Sequence, residues 1–117
     1  MKFASVFISG PYSGDVEENV RKALEAADSL MALGYVPYVP HLCHYWELKS
    51  HKSYEEWNCY FNKWLTICDY VLRLPGESSG ADAEVKLANE LGIRVVDSID
   101  SLVIASACYP LGKEIET

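Results

Sequence analysis

The sequence predicts an α/β domain in which a parallel sheet is covered by helices on both faces. Four short runs rich in β-forming apolar residues alternate with segments of helical periodicity, and these runs are residues 3–9, 35–39, 69–74 and 93–96. Such alternation is typical of parallel sheets, whose strands are buried on both faces. Ligands of these sheets bind beyond the carboxyl ends of the strands. We therefore expect function in residues 9–14, 40–46 and 75–84.

Capping patterns mark the helices between these strands. Asp15 with Glu18, and Ser53 with Glu56, have the spacing of capping boxes, and Gly34 supplies a C-terminal stop. The first helix carries an apolar stripe of Val16, Val20, Ala23, Leu24, Ala27, Leu30 and Met31. Helices are also expected at about 54–68, 81–91 and 99–107, and residues 40–52 are expected to be a loop or short helix. Because Pro37 has no backbone N–H, we expect either that its strand lies at the edge of the sheet or that Pro37 stands at the start of the strand.

Length and composition narrow the class of protein. The 117 residues suit one domain, taken here as residues 1–117, and a net charge of −7 without a basic run excludes a nucleic-acid polymer as partner. No apolar run approaches the roughly 18 residues that span a bilayer, so no membrane partner is expected. The four cysteines form no CxxC pair, and the N-terminus has no signal-peptide pattern. These features predict a cytoplasmic protein with a small-molecule ligand.

Glu84 has the clearest chemical implication. It lies among the apolar positions of its predicted helix, three residues after Ala81 and four before Ala88, where a carboxylate is costly unless it is paired or used. We expect it in the first helical turn, where the helix dipole favours the ionised form that a carboxylate nucleophile requires. The alternative is a structural carboxylate that caps the helix or pairs with Arg73.

Two loops contain small and hydroxyl residues suited to a ligand. Ser78, Ser79 and Gly80 precede the helix of Glu84, where hydroxyls and free N–H groups suit a phosphate, unless one serine simply caps the helix. The loop after the first strand matches neither GxxxxGKS/T nor GxGxxG, so it predicts no NTPase or dinucleotide mechanism. Tyr12 offers a hydroxyl or a stacking face there. The small residues that let a ligand approach this loop are Ser9, Gly10, Ser13 and Gly14.

The histidines and aromatic residues at 40–64 predict a pocket wall and packing. The spacing H-x-C-H-x6-H, from residue 41 to residue 51, matches none of the usual structural zinc spacings, and we expect no metal or cofactor. His41, His44 and Trp46 are expected to shape the pocket, with core packing as the alternative. Trp57, Tyr60, Phe61 and Trp64 predict core or a subunit interface, hence a homodimer or homotetramer.

Three segments together resemble the nucleoside 2-deoxyribosyltransferase-like superfamily, and within it the DUF4406 branch. They are residues 7–14 (FISGPYSG), 39–46 (VPHLCHYW) and 68–84 (CDYVLRLPGESSGADAE). The resemblance covers nearly the whole chain, and Glu84 stands at the position of the nucleophilic glutamate in the family's G-x-x-x-E. It implies a flavodoxin-like (Rossmann-like) three-layer sandwich with a parallel sheet of four to five strands, usually in homodimers or larger oligomers.

The same resemblance implies cleavage of an N-glycosidic bond. Glu84 would attack the anomeric carbon and form a covalent glycosyl-enzyme, which water or a second base then resolves. Asp69, which from its position alone would cap the preceding helix or bind an Arg, matches a family aspartate near the sugar and base. Tyr12 or another donor such as His44 would protonate the base.

Ser78 bears on the substrate class. It stands six residues before Glu84, where superfamily transferases acting on free deoxynucleosides tend to carry aspartate and nucleoside-monophosphate hydrolases carry serine. We therefore expect a nucleoside 5′-monophosphate N-glycosidase, although Asp82, where many members have glycine, could repel phosphate or simply face solvent. The alternatives are a deoxyribosyltransferase acting on free nucleosides and a nucleotide-binding sensor that does not cleave.

Overall fold

The computed structural model describes residues 4–108, which form a parallel sheet between two layers of helices. The strands are β1 Ser5–Ser9, β2 Val36–Tyr38, β3 Tyr70–Arg73 and β4 Arg94–Val96. The helices are α1 Val16–Ala32, α2 Cys43–Lys49, α3 Tyr54–Thr66, α4 Ser79–Glu90 and α5 Ile99–Cys108. A 3₁₀ turn, Pro40–Leu42, precedes α2. The four strands lie in the order β2-β1-β3-β4 with every neighbouring pair parallel, which confirms the predicted α/β sandwich.

Alternating side chains of the central strands supply two hydrophobic cores. Val6, Ile8 and Leu72 pack with residues of α1 and α5, whereas Phe7 and Val71 face the other way, toward α3 and α4. All five are buried. Since successive side chains of a strand point to opposite faces, this alternation fixes which helices cover which face.

The apolar stripe of α1 is narrower than predicted. Ala23 and Leu30 are fully buried, but Leu24 and Met31, the residues that follow them, are 37% and 65% exposed. A helix on a sheet buries only the line of side chains that points at the sheet, so adjacent apolar residues on its flank stay in water. The prediction that Leu24 and Met31 face the core is wrong.

Two predicted helix ends and the sheet edge are confirmed, whereas the predicted capping box of Asp15 and Glu18 is only half formed: Asp15 accepts from the N–H of Glu18, but the Glu18 carboxylate bonds Arg21. Gly34 has a φ of +94°, and the N–H groups of Gly34 and Tyr35 donate to the carbonyls of Met31 and Leu30, the pattern of a Schellman motif. Ser53 and Glu56 form a complete capping box. Pro37 lies in β2, which within the described residues pairs with β1 alone, so its missing N–H faces away from the sheet. No helix within residues 4–108 has the length and apolar character to cross a membrane.

Candidate active site

A cavity of about 700 Å³ opens at the carboxyl edge of the sheet, where the segments following β1, β2 and β3 meet. Its volume lies within the range of about 300–1,000 Å³ that is typical of small-molecule sites. All three segments predicted from strand polarity contribute to its wall. The predicted site residues that line it are Gly10, Tyr12, Ser13, His41, His44, Ser78, Ser79, Gly80 and Glu84.

Glu84 projects from α4 into this cavity and is partly buried. The Ser9 hydroxyl, itself 1% exposed, donates to Oε1 of Glu84 at 2.7 Å. Burial raises the pKa of Glu84 to about 6, against the opposing effects of the Ser9 hydrogen bond and the charge of Arg73. A carboxyl group with this pKa is ionised at neutral pH but incompletely solvated, which suits a nucleophile or a general base.

The position of Glu84 in its helix differs from the prediction. Because α4 begins at Ser79 with Ser78 as N-cap, Glu84 lies in the second turn, beyond the free N–H groups of the first. Desolvation therefore outweighs the stabilisation of the charge, and the pKa rises instead of falling. The prediction that the helix N-terminus stabilises the ionised form of Glu84 is wrong. The Ser9 hydroxyl stabilises this carboxylate instead.

Arg73 is engaged elsewhere, so the ion-pair alternative for Glu84 is not observed. The Arg73 guanidinium donates to Asp82 at 3.1 Å and to the carbonyls of Leu74 and Gly76. The Asp82 side chain is 74% exposed and does not line the cavity. The sequence left open whether Asp82 faces a phosphate or the solvent. In the structure it faces the solvent, and Arg73 balances its charge.

Ser78 caps α4 and lines the cavity at the same time. Its Oγ accepts from the N–H of Ala81 at 3.1 Å, and its carbonyl accepts from the N–H of Asp82 at 3.0 Å. Within residues 4–108, the N–H groups of Ser79 and Gly80 make no hydrogen bond. The capping alternative is therefore confirmed, and two unused backbone donors remain beside the cap.

Contacts from Leu74, Asn19 and His41 fix the loop after β1. At Gly10 a Cβ would lie 2.9 Å from the Cβ of Leu74, so only glycine allows this approach between two strand ends. The Asn19 amide donates to the carbonyls of Tyr12 and Ser13 at 3.1 and 3.0 Å. Buried His41 bonds through Nε2 to the carbonyl of Pro11 at 3.1 Å, and burial lowers its pKa, so His41 is neutral and donates there.

Tyr12 and His44 form a pair in the cavity wall. The Tyr12 hydroxyl lies 2.6 Å from Nδ1 of His44, and the two rings are 5.7 Å apart. Burial, together with the charge of Glu47, raises the pKa of Tyr12. The structure thus joins two residues that sequence reasoning considered separately.

Part of the cavity wall comes from α2, α3 and the segment between them, and apart from Cys43, which lies in the predicted segment 40–46, it was not predicted as a site. Its residues are Cys43, Glu47, Lys52, Tyr54, Trp57, Asn58 and Phe61. Glu47 organises this wall, since Oε1 accepts from the Trp57 indole at 2.8 Å and from the Lys52 N–H at 2.9 Å, and Oε2 bonds His51. These hydrogen bonds lower the pKa of Glu47 to about 2. No sequence motif signals this role, because it depends on how α2 and α3 meet.

Four predicted site residues are not in the cavity wall. Asp69 lies at the amino end of β3, where its carboxylate accepts from the N–H and hydroxyl of Ser5 at 2.8 and 3.1 Å, so the structure does not bring it to Glu84. Trp46 packs edge-on against Trp57 and Tyr60. Ser9 lies behind Glu84 and reaches the site only through its hydrogen bond to that residue. Gly14 is an exposed turn residue with a φ of +95°.

The histidines do not converge. His41 is bound to Pro11, His44 to Tyr12, and His51 to Glu47. Among residues 4–108 no group of three or more His, Cys, Asp or Glu side chains could hold a metal ion. We assign these histidines to the cavity wall and its support.

We expect Ser9→Ala to raise the pKa of Glu84 by about one unit or more, because a hydrogen bond to a charged group is worth roughly 1.5–3 kcal/mol. The measurement is an NMR titration of the Glu84 side-chain carboxyl carbon. Ser13→Ala is the matched control, since Ser13 lines the same cavity but makes no hydrogen bond to Glu84. Equal titration of Glu84 in the two variants would contradict the assigned role of Ser9.

A protein-family model described as a domain of unknown function, DUF7768, matches residues 4–98. Because the match covers most of the chain, the chain belongs to the DUF7768 family. The predicted DUF4406 branch is not confirmed, since the matching family is a different one. Comparison with curated proteins gave no match.

Solved structures share the fold at low sequence identity. A 2-deoxyribosyltransferase from Bacillus psychrosaccharolyticus has a TM-score of 0.57 at 19% identity, covering 79% of this chain and 69% of that enzyme. A 2-deoxyribosyltransferase from Leishmania mexicana has a TM-score of 0.62 at 14% identity, and the match spans 80% of this chain but only 62% of that enzyme. A conserved protein from Enterococcus faecalis V583 has a TM-score of 0.62 at 15% identity, and the match covers 96% of this chain and 78% of that protein. Likeness at these identities shows a shared fold.

Proposed function

We propose that this protein is an N-glycosidase that cleaves the base–sugar bond of a nucleoside 5′-monophosphate through Glu84. The observation that carries this proposal is a partly buried carboxyl group in a ligand-sized cavity, held by Ser9, with no cationic partner among residues 4–108, and with a pKa of about 6. The fold shared with two 2-deoxyribosyltransferases supports the same class of chemistry.

In this reaction the ionised Glu84 attacks the anomeric carbon as the base departs. The transition state resembles an oxocarbenium ion, and a carboxylate with little solvation is well suited to stabilise it and then to bond covalently. The Ser9 hydroxyl orients the attacking group through its 2.7 Å hydrogen bond. Water then releases the sugar and regenerates the carboxylate.

The start of α4 supports a phosphorylated substrate. Ser79 and Gly80 provide the unused backbone N–H groups at a helix N-terminus, which favours anions. The neighbouring Asp82 is paired with Arg73 outside the cavity, so it does not oppose an anion there.

We expect Ser78→Asp to reduce the preference for a 5′-monophosphate over the free nucleoside by at least about tenfold. Asp caps a helix as well as Ser does, so α4 is retained while a like charge meets the phosphate. Ser78→Asn is the matched control, because it keeps the cap without adding charge. The measurement is the ratio of kcat/KM for the two substrates, and an unchanged ratio in Ser78→Asp would count against a phosphate at this position.

The general test is release of free base from ribo- and deoxyribonucleosides and from their 5′-monophosphates. The second candidate, a deoxyribosyltransferase acting on free nucleosides, is favoured by the fold shared with two enzymes of that name. Adding an excess of a second base separates the two candidates: exchange into a new nucleoside indicates transfer, and release of free sugar indicates hydrolysis.

A homodimer or homotetramer stays a prediction. Large apolar side chains on α2 and α3 support it, since Tyr45, Leu48 and Tyr54 are 62%, 71% and 70% exposed. Such residues are enriched in subunit interfaces.

A further inference from the structure

Cleavage of a base–sugar bond requires a proton donor, because most nucleobases leave poorly as anions. Enzymes that use a carboxylate nucleophile usually take this proton from a second carboxylic acid. Within the described part of the chain, the other carboxyl groups of the cavity wall are Glu47 and Glu77. Glu47 is held ionised by three hydrogen bonds, with a pKa of about 2, and Glu77 is exposed to solvent. Neither is suited to donate.

Other donors of the described cavity wall are committed or unsuitable. His41 donates its Nε2 proton to a hydrogen bond with the Pro11 carbonyl. The Lys52 ammonium lies over the Trp46 ring, 5.1 Å from its centre, and bonds Ser50. Burial raises the pKa of Cys43, which makes its thiol a poorer acid, and Tyr54 is 70% exposed.

We propose that Tyr12 and His44 act as one proton relay to the departing base, an inference that rests on the proposed function. The Tyr12 hydroxyl lies 2.6 Å from Nδ1 of His44, and both side chains line the cavity that contains Glu84. The loop of Tyr12 is fixed by the Asn19 amide on one side and by His41 on the other. Proton transfer requires a donor that is held in a fixed position, and these contacts hold Tyr12 in one.

The two residues must act together. Burial and the charge of Glu47 raise the pKa of Tyr12, so the phenol alone holds its proton too firmly to protonate a leaving base. An imidazolium at His44 places a positive charge and an Nδ1–H beside the phenol oxygen. That oxygen can then lose its own proton while it gains another, and no phenolate forms.

The proton and electron pairs balance over both steps. As the C1′–N bond breaks, its electron pair stays with the base, a Glu84 oxygen bonds to C1′, and the base nitrogen takes the Tyr12 proton. Tyr12 takes the Nδ1 proton of His44, which leaves the imidazole neutral. In the second step the attacking water loses a proton through Tyr12 to His44, a new C1′–O bond forms, and the Glu84 carboxylate departs.

Because the relay passes a proton from His44 through Tyr12 to the base, the rate should fall at alkaline pH, and this decline should depend on His44. Protonation of Glu84 lowers the rate on the acid side, giving a bell-shaped profile. The titratable groups around the pair fall into three sets. The charge of Glu47 acts on Tyr12, and the rings of His41 and Tyr45 contact the pair. The others line the cavity and are Cys43, Lys52, Tyr54, Glu77 and Glu84.

The experiment compares guanosine 5′-monophosphate with its N7-methyl derivative, whose cationic base leaves as a neutral molecule and needs no proton. We expect Tyr12→Phe and His44→Gln to lower kcat/KM on the unmethylated substrate by roughly 10²–10⁴-fold, with much smaller losses on the methylated one. The double variant should lose no more than either single variant, as residues of one unit do. Glu90→Gln, exposed and outside the cavity, is the control and should keep full activity.

For whichever bases the wild type releases, the pH profile gives a second readout. His44→Gln should lack the alkaline decline while keeping the acid one. Equal losses on both substrates, or an alkaline decline that survives in His44→Gln, would overturn the relay and leave Glu84 chemistry standing. No base release by the wild type from any substrate would overturn the proposed function and the relay together.

Discussion

Glu84→Gln is expected to abolish release of free base, with kcat lowered by at least about a thousandfold. A carboxamide cannot form the glycosyl ester, but it has nearly the same shape and can still accept the hydrogen bond that Ser9 donates at 2.7 Å. The cavity should therefore bind substrate as before. The measurement is chromatographic detection of free base from the substrate that the wild type cleaves best.

Glu90→Gln on the same helix is the control, because Glu90 is exposed and does not line the cavity. It should retain full activity. Activity within tenfold of wild type in Glu84→Gln would remove Glu84 from the reaction. Tight nucleotide binding without cleavage in the wild type, unchanged in Glu84→Gln, would instead favour a sensor.

The same variant should be more stable than the wild type at neutral pH. The folded-state pKa of Glu84 is about 6, raised from 4.5, so between these values the folded state binds more protons than the unfolded state. The free energy of unfolding of the wild type therefore falls as pH rises through this window, by about 1–2 kcal/mol. Glu84→Gln lacks this loss, and its advantage in urea unfolding should disappear below about pH 4.5.

Much of the fold and one wall of the site follow from local sequence. The alternation of apolar runs with capped helices predicts the parallel sheet, and strand polarity alone brings the segments around Gly10, His44 and Glu84 to one edge. Glu84 stands out because a carboxylate at an inward helical position requires a reason. These inferences need only chain direction and periodicity.

The parts that sequence could not provide depend on how elements approach each other. Glu47 is a cavity residue because its carboxylate joins α2 to the Trp57 indole of α3, and no spacing rule gives that contact. Asp69 shows the opposite case: it resembles a family aspartate, but it precedes β3 and bonds Ser5 at the far edge of the sheet. Strand polarity had already indicated that position.

The largest effect on stability is expected for Leu30→Ala, compared with Met31→Ala. Both residues belong to the stripe predicted for α1, yet Leu30 is fully buried against the sheet whereas Met31 is 65% exposed. Truncating a buried leucine removes transfer free energy and leaves a cavity, which costs roughly 2–5 kcal/mol. That loss is a large fraction of the 5–15 kcal/mol typical of a domain. The measurement is the urea midpoint of unfolding.

Met31→Ala should change the free energy of unfolding by less than about 1 kcal/mol, because surface substitutions rarely do more. Alanine favours the helix, and the Met31 carbonyl keeps its hydrogen bond from the N–H of Gly34. Comparing Leu30→Ala with Met31→Ala therefore isolates the effect of burial on the free energy of unfolding, because the two variants lose side chains of similar size from adjacent positions of one helix. Equal losses in the two variants would mean that α1 packs on the sheet through the broad predicted stripe and not through the narrow line that contains Leu30.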